Sequence, residues 1–307
     1  MKNFSIIFLL ITFPLLLHSQ LLDQQKGEQP PSLAPQNSGL IDHDLLDTKN
    51  INSVDLTILN KARNSLAKDS IRARPLPVGV NIDVNYNMKN SGSVEYLENG
   101  TKIYRLHIVS KGAKKLFVMF NSFLIPKLAK LYLYDKQKKQ ILGPHSYEDN
   151  NSSGSFSAGP IVGDELYIEY VEPKGVKFEG SFNIFRIAHI AENLNSNSYK
   201  ALGDANPCHI NIMCPEGDGW CNQRRSVAKI WILTSLSPLN YVATGSLITN
   251  EKRDSRPFFI TAGHCVDIDG NNGENWYIVS AFILGYEVFS EPFIAGFTTT
   301  YIHDVFG

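Results

Sequence analysis

The sequence predicts an all-β fold, an N-terminal β-sandwich followed by a second, separate β unit. Two observations carry that reading. Between residues 75 and 189, short runs of period-two alternation recur, divided by Gly, Pro, Asn and Asp. Farther on, the apolar run Pro257-Phe258-Phe259-Ile260 stops on Thr261-Ala262-Gly263-His264-Cys265, and Thr244-Gly245-Ser246-Leu247-Ile248 forms a second short strand ahead of it. Together these read as a hairpin-like pair that delivers one imidazole to a cleft. Ala262 and Gly263 leave no bulk beside the ring, and the run itself fits a strand packed on both faces.

Residues 1–19 read as a secretory signal peptide. One lysine precedes an almost unbroken apolar stretch from Phe4 to Leu17, and Ser19 offers a small residue for cleavage before Gln20. The stretch is short for a membrane span and contains Pro14, so no membrane anchor is expected. Residues 20–74 are polar and proline-bearing, as in Gln29-Pro30-Pro31 and Pro35-Gln36-Asn37, and read as a largely disordered linker. One weak helix is expected within it over residues 54–62, with Asp55 as its cap.

The sandwich is expected over residues 75–192. Its strands read as residues 102–110, 115–120, 130–134 and 165–170, with 182–187 as the closing strand. Lys111, Lys114, Lys115, Lys136, Lys138 and Lys139 lie between strands and read as solvated turns and edge protection. Residues 193–206 form a second polar connector, a natural processing site, with Lys200 as the candidate cleavage point. Residues 207–307 make up the last unit.

Charge excludes some partners. With 29 Lys and Arg against 30 Asp and Glu, the formal net charge is -1, which makes no case for nucleic acid or an anionic membrane surface. No cofactor is indicated. Asp267 and Asp269 sit in an Asn/Gly-rich loop with an incomplete calcium pattern, and read as solvated surface. Cys208, His209, Cys214 and Cys221 lack C-x-x-C spacing, which disfavours a zinc site. In an exported chain, four cysteines suggest disulfides.

The phrases Gly245-Ser246-Leu247-Ile248 and Thr261-Ala262-Gly263-His264-Cys265 resemble the trypsin-like serine proteases. Pro207-Cys208-His209-Ile210 and Cys214-Pro215-Glu216-Gly217-Asp218-Gly219 resemble the opening of the mature lysyl endopeptidase domain. The phrases at 123–134 and 159–170 resemble the sandwich that precedes that domain. The resemblance implies the first β-barrel half of a chymotrypsin-like fold after a pro-region that contacts it. It also implies a secreted zymogen that hydrolyses peptide bonds of protein or peptide substrates, with His264 as general base. Imidazole suits that role because it titrates near neutrality.

The chain departs from the pattern in two ways. No Gly-Asp-Ser-Gly phrase follows His264, so this chain is expected to be truncated before the serine and inactive alone. Asp304, before Val305-Phe306, is the candidate orienting acid. The cysteine that pairs with the family's equivalent of Cys265 is Ala243 here, leaving Cys265 to bond elsewhere, with Cys221 one choice, or to stay free. The alternative reading is a non-catalytic secreted β-rich binding or adhesion protein that retains a protease-like half domain.

Overall fold

The computed structural model describes residues 29–33, 46–68, 75–191, 215–220, 223, 226–234, 237–248, 258–262, 265, 276–284 and 294–297. The expected signal peptide and the connector 193–206 lie outside them. Among the described residues the architecture is all-β with one α-helix, α1 (Thr57–Lys68).

The first sheet contains β1 (Thr48–Ile51), β3 (Ser93–Tyr96), β4 (Lys102–Ser110), β6 (Lys130–Tyr134), β7 (Ile141–His145) and β9 (Glu165–Glu172). Its order is β1-β4-β9-β6-β7, with β3 also on β4. β1 runs parallel to the second half of β4 and β3 antiparallel to the first half, so the two share one edge. The residues around β1 therefore join the fold, where composition alone had suggested linker.

The second sheet has nine strands and crosses the whole chain. It joins β2 (Leu76–Asn87), β5 (Lys115–Leu124), β8 (Phe156–Val162) and β10 (Ser181–Ile190) to β11 (Val227–Thr234), β12 (Leu239–Ile248), β14 (Trp276–Leu284) and β15 (Ile294–Phe297). β13 (Phe258–Thr261) pairs with β12. The order is β15-β14-β11-β12-β2-β10-β5-β8. The run at 182–187 was expected to close the sandwich, yet β10 is an interior strand between β2 and β5. Its apolar alternation marks burial, and strand order depends on distant partners that local pattern does not encode.

The sandwich core lies between the first sheet and the β2-β10-β5-β8 part of the second. Leu106, Ile108, Leu116, Val118, Leu133 and Ile168 fill it. Phe182 stands edge-on to Tyr104, Phe120 and Tyr170, with centroids at 5.6, 5.5 and 5.7 Å, the geometry ring quadrupoles favour.

β5 is buried from Leu116 to Phe120 without alternation. Leu116, Val118 and Phe120 face the sandwich core, whereas Phe117 and Met119 face a second core with Trp231 and Leu233 of β11. Three strands separate β5 from β11 in the sheet. That contact therefore requires the sheet to curl back on itself as a half-barrel, with the Phe117 and Trp231 rings 5.3 Å apart.

Gly79 sits where β10, β2 and β12 meet, opposite Ile190 on one side and Asn240 on the other. A Cβ there would come within 2.4 Å of the His189 carbonyl oxygen, so glycine is required for this close approach.

α1 starts later than periodicity suggests. The Leu56 carbonyl accepts the first helical bond, from Asn60 N–H at 3.0 Å, and Asp55 Oδ1 accepts from Thr57 N–H at 2.8 Å. Leu59 buries fully against Val80, Ile230, Ile232 and Cys265, and Arg63 Nε donates to the Pro77 carbonyl at 3.0 Å. Tertiary packing of one apolar face thus fixes a helix that propensity alone would leave marginal.

Candidate active site

β11, β12 and β13 form the frame that leads to position 264. β11 pairs antiparallel with β12 from Val227 opposite Ser246 to Leu233 opposite Asn240. On the other edge of β12, Gly245 to Ile248 pair with β13, and Leu239 to Val242 pair with β2. One strand edge is thus divided between β13 and a strand from the start of the chain.

The turn between β11 and β12 is tied down by β2. Asn81 N–H donates to the Pro238 carbonyl and Asn81 Nδ2 to the Ser237 carbonyl, both at 2.8 Å. Ser237 Oγ lies 3.1 Å from the Tyr241 hydroxyl and accepts from Leu239 N–H at 3.1 Å. Tyr241→Phe removes one of these buried bonds and is expected to cost about 1 kcal/mol, read as a lower urea midpoint with an unchanged slope. An unchanged midpoint would show that the hydroxyl bond adds nothing.

At the far end of β13, Thr261 Oγ1 donates to the Thr244 carbonyl at 2.9 Å. The chain returns at Cys265, whose N–H donates to the Ala262 carbonyl at 2.9 Å. Cys265 is buried with a free thiol, among Leu59, Val80, Ile230, Ile232, Leu239 and Tyr241. The two positions between Ala262 and Cys265 are thus bracketed by a paired strand and a core anchor. The expectation of a strand packed on both faces does not hold at Ile260, which is 56% exposed; Val227, in the same row across Ser246, and Ile248, two residues along β12 from Ser246, are also exposed. Among the described residues β13 has a partner on one edge alone.

His264 and Asp304 themselves lie outside the described residues, as do Cys208, His209, Cys214, Cys221, Asp267, Asp269 and Lys200. Among the described residues no group of three or more His, Cys, Asp or Glu is placed to hold a metal ion. No described helix is long and apolar enough to cross a membrane. The described histidines serve elsewhere. His189 Nδ1 is 2.8 Å from Ser110 Oγ, and burial lowers its pKa despite the opposing pull of Asp164.

Sequence reasoning missed a cluster around Trp231. Lys115 Nζ and Lys229 Nζ stand 5.1 and 5.2 Å from the ring centroid. Lys115 is therefore no solvated turn lysine, although Lys111, Lys114, Lys136, Lys138 and Lys139 are exposed as expected. Burial lowers the pKa of both lysines, and the charge of Lys115 adds to the effect on Lys229, which falls to about 7. The available signal was a lysine at the start of each of two apolar runs, Lys115 before Leu116–Phe120 and Lys229 before Ile230–Leu233.

Because the folded-state pKa of Lys229 lies below its ordinary 10.5, the unfolded chain binds more protons between those values. Stability is therefore expected to rise with pH through that window, by about 2 kcal/mol from pH 7 to 9. Above pH 10 the trend reverses, because burial raises Tyr167 to about 12 and the unfolded chain then loses its tyrosine protons first. Urea midpoints of the wild type and Lys229→Met across pH 7–10 test this. An equal rise in both proteins would remove Lys229 as its source.

Residues 202–290 match the family model described as lysyl endopeptidase, C-terminal domain. The match contains β11 through β14 and none of the strands β1 to β10.

Proposed function

From a chain whose residues 202–290 are of lysyl endopeptidase type, we propose the precursor of a secreted serine endopeptidase that cleaves after Lys or Arg. The observation that carries the reading is the conjunction of that match with the β12–β13 pair, which runs into Thr261-Ala262-Gly263-His264-Cys265 and is anchored by buried Cys265.

In this reading His264 takes the proton of a serine hydroxyl as that oxygen attacks the scissile carbonyl, then returns it to the leaving amine. Asp304 orients the imidazole. Residues 1–19 direct export, residues 75–192 act as pro-region, and maturation falls within 193–206, at Lys200. The shared sheet supports the pro-region's contact with the protease part, through Leu76–Val80 against Leu239–Val242. No Gly-Asp-Ser-Gly phrase follows His264 within these 307 residues, so the serine of this reading is the residue the test below has to identify.

The test is to sequence the reading frame past codon 307 and treat the secreted product with a fluorophosphonate probe and lysyl and arginyl peptides. A frame that continues into a serine phrase, with the probe mapped to that serine, supports the peptidase. A stop at 307 with neither labelling nor turnover would overturn it, and would favour the non-catalytic binding protein that the missing phrase also suits.

A further inference from the structure

The outer face of the first sheet, turned away from the sandwich core, carries rows of residues that sit directly opposite one another. Arg105, Glu169 and Tyr132 form one row, and His107, Tyr167 and Tyr134 the next. The rings of His107 and Tyr167 stack at 4.1 Å and 10°, and those of Tyr167 and Tyr134 at 5.5 Å and 4°. Glu169 is 0% exposed although it points away from the core.

Its cover is a remote segment. Residues 31–33 form a 3₁₀ turn, and Pro30 and Ser32 are buried. Ser32 N–H donates to Glu169 Oε1 at 3.1 Å, and Ser32 Oγ donates to Oε2. The Tyr134 hydroxyl donates to Oε2 at 3.2 Å, while Arg105 Nε stands 3.6 Å from it and Arg105 Nη1 is held by Glu95 at 2.8 Å.

A buried carboxylate is costly unless its lone pairs are satisfied, and two of its donors come from Ser32. Pro30 and Pro31 have no N–H, so Ser32 carries the first backbone donor after the proline pair, aligned with its own hydroxyl on one carboxylate. A rigid proline segment on an aromatic surface also loses little entropy on docking.

We propose that the face around Glu169, Tyr134 and Arg105 is a binding site for a short proline-flanked serine segment, and that Pro30-Pro31-Ser32-Leu33 of the same chain occupies it. The site selects serine because both of its donors, the backbone N–H and the hydroxyl, meet one buried carboxylate. It fastens residues 30–33 to the first sheet, whose edge strand β1 receives the chain again at Thr48.

Hydrogen exchange on the full chain tests the site, with Ser32→Ala, Glu169→Gln and Tyr134→Phe. The Ser32 amide is expected to be protected in the wild type, and the amide at position 32 to exchange at least 10-fold faster in Glu169→Gln, while amides of β4, β6 and β9 stay protected. A labelled peptide spanning residues 29–35 is then added to the Ser32→Ala chain, whose own segment is loosened. Saturable binding that weakens at least 10-fold when the peptide carries Ala for Ser, and in the Tyr134→Phe background by a smaller factor, supports the assignment. An unprotected Ser32 amide in the wild type overturns it, as does peptide binding indifferent to the serine or no saturable binding.

Discussion

His264→Ala is expected to reduce turnover of lysyl peptides by about 10⁴ to 10⁶-fold in a secreted form that carries the serine, with KM little changed. The size follows from how the residues act. Without a base the serine stays a weak neutral nucleophile, and the remaining groups cannot substitute for one another. What survives is substrate binding and the backbone donors for the oxyanion. KM is expected to be spared because a general base in the proposed role acts in the transition state and does not hold the side chain of the cleaved residue. Labelling by the fluorophosphonate is expected to fall in parallel, since the probe needs the same activated oxygen. Steady-state kinetics beside probe labelling would check this. A loss confined to KM, or a mutant that labels as fast as the wild type, would take the base role away from His264.

The other large effect concerns Trp231. Trp231→Ala is expected to destabilise the chain by about 3 to 5 kcal/mol, the range for emptying a fully buried aromatic site. Its consequence reaches both parts of the molecule. The indole packs with Leu233 and Val242 from its own side and with Phe117, Met119, Ala188 and Ile190 from the other. Strand pairing between β2 and β12 joins the same two parts. A single cooperative transition is therefore expected by far-ultraviolet circular dichroism, moved as a whole by the mutation. Two transitions in the wild type, one of them unmoved by Trp231→Ala, would mean that the second core couples the parts too weakly to matter. Burial of the Lys115 and Lys229 ammonium groups beside the ring opposes their charged forms, so the stability of this core is expected to depend on pH.

Much of the strand inventory was legible because strands buried on one face alternate. β4 and β6 fall where the alternation places them, and β5, β9 and β10 extend a few residues beyond it. β12 and β13 were marked by Gly-Ser-Leu-Ile and by an apolar run ending on small residues. β2 was not legible: Pro77 and Gly79 interrupt it, and its outer half alternates Asn and Asp with apolar residues. It is a strand because β10 and β12 supply partners on both edges. β1 likewise exists because β4 offers an edge. The place of Lys115 beside the Trp231 ring was hidden by its position at the end of an apolar run, where lysine ordinarily faces water. Nor could composition show that Ser32 of a polar tract would meet Glu169, since that pairing depends on the fold of a sheet assembled far along the chain.

The division of one β12 edge between β13 and β2 also sets an order of events in time. β2 leaves the ribosome, and crosses a membrane if exported, long before Leu239 to Val242 exist to pair with it. During that interval the sandwich can close, since β10 and β5 follow soon after, yet one edge of β2 stays open along Leu76 to Val80. Closing that last pairing brings together the two directly paired strands of the sheet that lie farthest apart in sequence, a step that topology makes slow. Until it happens, the open edge is a template for any extended chain nearby. Nascent protein is then most exposed to association with its own kind before β12 arrives, and least after β12 has seated.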